Sequence, residues 1–346
     1  MPWMLERDDI GALSIGAALL SGGGGGHTRI ASLASQGSVS WPIAVHEVQE
    51  VDPELPCVAV GVGGSTMVFR ERLPSGDLFQ EAIEAVDRWT GTPAAAVCLT
   101  EIGGMNALTA LPHAASMTLI DSDLMGRALP GIDQFTLLVD DLSALVLAVS
   151  VGQRGVMVVA DARPGDVEHV LRAAFETAGG WAGIALGGFR VGDLAEHAVG
   201  GSLRRALDLG RSWGADATAP IADRAVEAGG RHLGIGRVTA ISLHSTDPRV
   251  RIIDVDGESG AQLRLVATTE VLACMLDGRV VARAPDIIDV LDPQTGAVHQ
   301  IEDIAVGRNV AVIELEAPEW WRRRPERLAR VLPSNYGLDG LDVVAA

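Results

Sequence analysis

The chain has 346 residues, 48% of them hydrophobic and 21% charged, with a formal net charge of −18, so it reads as a globular protein and not as a partner of nucleic acid, which needs a clustered positive face. All 27 basic side chains are arginine and none is lysine. That excludes a Walker lysine for ATP and a Schiff base to pyridoxal phosphate.

The length predicts two domains. No apolar run is long enough to span a bilayer, and acidic residues stand where a signal peptide would be basic, so a cytoplasmic protein with no membrane partner is expected. Cys57, Cys98 and Cys274 are far apart in apolar runs, which implies neither a disulfide framework nor a cysteine zinc site.

In chain order, 8–20 has an acidic start and helical apolar spacing and ends on the glycine run "SGGGGGHT", Ser21 to Thr28. A second helix is expected from Thr28. "WPIAVHEV" and "CVAVGVGG" read as strands. "GDLFQEAIEAVDRWTG" reads as a helix, with Phe79, Ile83, Val86 and Trp89 at helical spacing and Gly91 as its stop.

"AAAVCLTEIGG" is predicted to be a buried strand that delivers Glu101 to a Gly103-Gly104 turn. "MNALTALPHAAS" then reads as a helix and "MTLID" as a strand carrying Asp121, a βαβ unit. "QFTLLVDD", "ALVLAVSV" and "RGVMVVADA" are expected strands, and "PGDVEHVLRAAFETAGG" a helix. The first half is thus an α/β domain with a parallel or mixed sheet.

From Arg237 onward, strands alternate with Gly, Asp and Pro turns, which predicts a mainly-β barrel or sandwich reached through a helical segment at 200–213. The division is placed at 170/171, inside a boundary zone of 161–180. The basic run "WWRRRPERLAR" reads as a solvated helix face rather than a nucleic-acid patch.

Three readings of the glycine run stand open. A dinucleotide fingerprint would need a strand before it, and a phosphate loop would need a lysine. A linker between helices is the plain reading. The third is a backbone, from Gly23 to Gly26, that approaches a ligand closely and presents N–H groups at a helix start, with His27 and Thr28 at its rim.

Glu101, Asn106, Asp121, Asp123 and Arg127 are expected on one rim of the sheet, with Gly103 and Gly104 in the turn. A carboxylate crowded by others has a raised pKa and becomes a general base or a metal ligand. The alternative is that Asn106 and Asp123 cap helices and Glu101 pairs with Arg127. Asp121, Asp123 and His113 form the candidate set for a divalent metal, zinc foremost; otherwise no cofactor is expected. Cys98, inside an apolar strand, reads as inert core.

The combination of "SGGGGG", "EIGGMNAL", "DSDLMGRALP" and a β-rich half containing "ARAPDIIDVLD" and "EAPEWW" resembles the S-methyl-thiohydantoin desulfurase domain family. The resemblance implies a three-layer α/β domain followed by a β domain, and five-membered cyclic amide rings, hydantoin or thiohydantoin, as the substrate class. The matching positions are Gly22 to Gly26, Glu101, Gly103, Gly104, Asn106, Asp121, Asp123, Gly126, Arg127 and Pro130. His27 and Thr28 stand where the family commonly has an acidic residue and proline.

The implied reaction is hydrolysis. A carboxylate of the Glu101/Asp121/Asp123 group, or a metal it binds, activates water against the ring carbon. The N–H groups after the glycine run and Asn106 steady the developing charge, and Arg127 orients a ring carbonyl. The resemblance also leaves room for a non-catalytic accessory subunit of a hydantoinase-type partner, and a homo-oligomer is expected.

Overall fold

The computed structural model describes residues 1–71, 79–150, 155–160, 163–258 and 260–344. Gly76, Asp77 and Leu78 of an expected helix, Val151 and Arg154 at expected strand ends, and Asp161 and Ala162 in the boundary zone lie outside the described residues.

The first unit is built on β1 (Trp3–Leu5), β2 (Ile43–His46), β3 (Pro56–Gly64), β4 (Ala96–Leu99), β5 (Thr118–Asp123), β6 (Val146–Ser150), β7 (Val156–Ala160), β8 (Trp181–Arg190) and β9 (Val199–Gly200). Their order is β1-β2-β5-β4-β3-β8-β6-β7, with β9 on β5. The pairs β2·β5, β3·β4 and β4·β5 are parallel and the rest antiparallel, so the sheet is mixed. β8 is inserted beside β3, so this sheet extends beyond the 170/171 division.

The helices follow the same chain order: α1 (Ile10–Leu19), α2 (Thr28–Ser38), α3 (Thr66–Glu71), α4 (Gln80–Thr90), α5 (Thr136–Val139), α6 (Pro164–Ala178), α7 (Leu194–His197), α8 (Ser202–Ala215) and α9 (Ile221–Glu227). Before β7 and α8, the one departure in kind is "QFTLLVDD". Its expected strand is a helical turn followed by α5, although Phe135, Leu137 and Leu138 are buried as an apolar run demands. A short apolar run satisfies either geometry, and a turn length decides between them. The expected helix after Gly104 is two 3-10 turns, Gly104–Leu108 and Leu111–Ala115. Phe79, Ile83 and Val86 of α4 are buried, whereas Trp89 is 60% exposed.

α1 lies against α8 at bare backbone. A Cβ on Gly16 would stand 1.7 Å from the Ala206 carbonyl oxygen, and one on Gly210 would stand 1.8 Å from that of Ala12. Glycine at both positions is what permits the approach.

The second unit is a seven-stranded antiparallel sheet made of β10 (Arg231–Leu243), β11 (Arg251–Gly257), β12 (Gln262–Ala267), β13 (Val271–Leu276), β14 (Arg279–Arg283), β15 (Ile287–Leu291) and β16 (Asn309–Leu315), in the order β14-β13-β12-β11-β10-β16-β15. It curls until its two edge strands approach each other, giving a half-barrel. Val255, Leu265, Val290 and Val312 fill its interior.

The chain then returns to the first unit. Trp321 donates to the Met125 carbonyl at 2.8 Å, and α10 (Pro325–Ala329) stacks Arg327 on Trp320. Arg322, Arg324, Arg327 and Arg330 pair with Asp286, Glu196, Asp140 and Asp133, so four of the five arginines of the basic run are neutralised internally. Among the described residues no helix is long and apolar enough to cross a membrane.

Candidate active site

The parallel strands β3 and β4 point their C-terminal ends at the half-barrel, and a cavity of about 130 Å³ lies at that junction. Ligands collect outside such strand ends in open α/β sheets. Gly23, Gly24 and Gly25, the β3 end with Thr66, Glu101 and Asn106, Pro130 and its neighbours, and Thr269, Glu270 and Glu302 of the half-barrel line it.

The glycine run is a strap across this junction. The N–H of Val271 donates to Gly22 O and that of Ile301 to Gly23 O, both at 2.9 Å, and Gly26 N–H donates to Gln300 Oε1. On the other side Met105 N–H donates to Gly25 O at 2.9 Å. A Cβ on Gly24 would lie 2.0 Å from Glu270 Oε1, and one on Gly25 2.7 Å from Gly103 O. The run therefore lies between two walls, and its carbonyls serve as acceptors for both units. This departs from a phosphate loop, which offers N–H groups, and from a free linker. Gly26 packs against Thr66, Gly104 against Gly25, and Gly103 against Ala128, all behind the wall.

Glu101 lies two residues past the end of β4. Asn106 Nδ2 donates to Glu101 Oε1 at 2.7 Å and to Val62 O at 3.0 Å, while Asn106 Oδ1 accepts from Val62 N–H at 2.7 Å. With both amide protons committed, Asn106 fixes Glu101 and is not placed to steady a ligand's charge, contrary to expectation. Burial pushes the Glu101 carboxyl up to about 8, with the Glu270 charge adding and the Asn106 hydrogen bond opposing. Glu270, 3% exposed, takes a hydrogen bond from Thr269 Oγ1 and is pushed up to about 7, again by burial, which the Thr269 bond and nearby Arg127 offset in part.

Asp121 and Asp123 are not part of the cavity wall. Asp121 accepts from Leu203 N–H at 2.7 Å, Arg204 N–H and Trp3 Nε1, capping α8 and fastening β1. Asp123 accepts from the N–H groups of Ile102, Met125 and Gly126 and from Ser202 Oγ. Burial raises it to about 6 against those hydrogen bonds. Each carboxylate is consumed by structure. The expected single rim of three carboxylates thus divides into one in the cavity and two that hold α8.

Arg127 is also displaced from its expected place. It is 1% exposed and donates through Nη1 to Pro285 O at 2.8 Å and Asp286 O at 2.7 Å, and through Nε to Ala128 O, joining the two units. Glu101 therefore pairs with Asn106, not with Arg127. His27 Nε2 contacts Asp303 Oδ2 at 2.8 Å beyond the mouth, and Thr28 opens α2. His113 is buried against the Phe79 ring at 5.7 Å.

Among the described residues no three His, Cys, Asp or Glu side chains form a metal-holding group, so Asp121, Asp123 and His113 are not a ligand set. Cys98 is fully buried with its thiol pushed well up by burial, an inert core residue.

Sequence reasoning missed Thr269, Glu270, Glu302 and Thr66. "AQLRLVATTEVLACML" holds one signal, a lone carboxylate at Glu270 between two apolar runs, since a buried charge in apolar surroundings marks a functional position.

The fold and site define a two-domain protein, α/β followed by curled β, with a carboxyl-lined cavity shared between the domains. The S-Me-THD-like N-terminal domain model matches residues 8–161 and the C-terminal domain model residues 162–345. The chain belongs to the S-Me-THD-like family. A solved protein from Chromobacterium violaceum shares the fold, with a TM-score of 0.80 over 99% of both chains at 20% identity. No curated protein matches the chain.

Proposed function

We propose that the protein hydrolyses an S-alkylated thiohydantoin or a closely similar five-membered cyclic amidine, and that Glu270 and Glu101 are the acid–base pair. One observation carries this reading: a buried carboxyl at about 7 and a half-buried one at about 8 share the wall of a small cavity. Near neutral pH such a pair holds one proton between its members, which suits one base and one acid.

Glu270, the more acidic of the two, takes the proton of a water as its oxygen bonds to the ring carbon that bears sulfur. The C=N electron pair moves to the ring nitrogen, which receives the Glu101 proton. The carbon–sulfur bond then breaks, the thiol leaves with the hydroxyl proton, and a ring carbonyl remains. The sum is amidine plus water to amide plus thiol. The Gly25 N–H, which has no acceptor among the described residues, is left to anchor a ring carbonyl at the cavity face.

Among the described residues that line the cavity there is neither arginine nor histidine, and Glu302 stands exposed at its edge. An exocyclic arm on the ring is therefore neutral or cationic. Three free, buried cysteines suit a reducing cytoplasmic setting.

The test is thiol release from S-methyl thiohydantoin by the purified protein and by its Glu101→Gln and Glu270→Gln variants. Release by the wild type alone supports the assignment. An accessory subunit would bind the ring without releasing thiol, and an active Glu101→Gln variant would remove Glu101 from the mechanism.

A further inference from the structure

β7 ends the order of the nine-stranded sheet, and its outer backbone edge has no neighbouring strand among the described residues. Its sequence, Val-Met-Val-Val-Ala from Val156 to Ala160, contains no charge and no proline, and its register with β6 runs through all five residues without a bulge. Natural edge strands are protected by charge, proline, bulges or cover, and β7 has none of the first three. Such an edge is built to be paired.

The surface beside it supplies the identity of the partner. α4 flanks β7, and between them runs an open groove of about 550 Å³ lined by Glu81, Glu84, Arg88, Trp89, Val156 and Val158. Trp89 projects from α4 with 60% of its surface exposed, the side chain type most often found as an interface anchor. On α4, Glu81 and Glu84 stand in the first half and Arg88 in the second, while Asp87, beside Arg88, accepts from the Ala94 N–H at 2.9 Å. Glu84 lies 3.7 Å from Arg88 of the same helix, and Glu81 has no ion-pair partner among the described residues.

We propose that β7 is the self-pairing edge of a symmetric homodimer. A two-fold axis through Val158 sets β7 antiparallel to its copy and makes one continuous sheet. It also reverses α4 against its copy, so that Glu81 faces the second Arg88 and each Trp89 enters the groove of the other chain. Strand edge, projection and groove, and acid and base are each self-complementary under this one operation, as an isologous interface requires.

Sedimentation at micromolar concentration should give a particle of twice the 36.1 kDa chain mass. Arg88 is 69% exposed, so Arg88→Glu leaves the core intact and should yield monomer. Glu81→Arg combined with Arg88→Glu should restore the dimer, because the swapped charges meet again across the axis. A monomeric wild type overturns the proposal, as does a dimer that survives Arg88→Glu or a double swap that stays monomeric while its circular dichroism matches the wild type.

Discussion

Glu101→Gln is expected to make the protein more stable, and increasingly so as pH rises. In the folded state Glu101 keeps its proton up to about 8, whereas in the unfolded chain it ionises from 4.5. Between those limits the unfolded state releases a proton that the folded state retains. Stability therefore falls with rising pH by at most ~1.4 kcal/mol per pH unit. Integrated from about pH 6 to about pH 8, with the slope fading as Glu101 itself titrates, the loss comes to roughly 2 kcal/mol. Glutamine has no proton to lose, and its amide oxygen can keep the Asn106 hydrogen bond. Glu270 titrates in both proteins and cancels to first order. Urea unfolding of both proteins at three pH values across that range should show the advantage of the variant growing by that amount. A difference that stays flat would mean that Glu101 ionises in the folded protein as it does in water, and the acid role assigned to it would fail.

The rate of thiol release should follow a narrow bell, rising as Glu270 ionises near 7 and falling as Glu101 ionises near 8; a plateau extending two units past either limb would refute the pairing. Gly24→Ala places a methyl in the space of the Glu270 carboxyl. Turnover should fall at least tenfold, and unchanged kinetics would remove Glu270 from the reacting centre. Asp123→Ala strands the backbone N–H donors of Ile102, Met125 and Gly126, while the Ser202 hydroxyl keeps the Val199 carbonyl, a loss of roughly 3 kcal/mol or more. It should read out as unfolding in a denaturant titration, and a stable but inactive variant would return Asp123 to the chemistry. Dialysis against a chelator should leave thiol release intact, with metal analysis of the dialysed protein as the check; loss of activity restored by zinc would assign water activation to a metal.

Much of the architecture was legible because it is local. The two strands that flank the Glu101 turn, the stop of α4 at Gly91 and the run of turn-separated strands after Arg237 follow from periodicity and turn residues, whereas the helix expected between those two strands is a pair of 3-10 turns. The candidate site was legible only in its first half. Glu101, Asp121 and Asp123 look equivalent in a sequence, each an acid where an apolar strand ends. What separates them is α8, whose N-terminus arrives about 80 residues after the aspartates, takes Asp121 as its cap and donates the Ser202 hydroxyl to Asp123. Arg127 was displaced from its expected role by the Pro285 and Asp286 carbonyls, contributed by a domain that no local pattern places beside it. Glu270 enters from that same domain.

The strap of glycines has a consequence for how such runs are interpreted in other chains. Each of its positions is hemmed in by a neighbour on one flank or the other, so its composition is dictated by docking tolerances and not by what the cavity binds. Selection on substrate would act on Glu270 and Glu302, while selection on assembly would hold the run unchanged across proteins of different specificity. A glycine tract preserved through a family can thus record a seam between domains, and the chemistry is to be sought in whatever side chains the seam lets through.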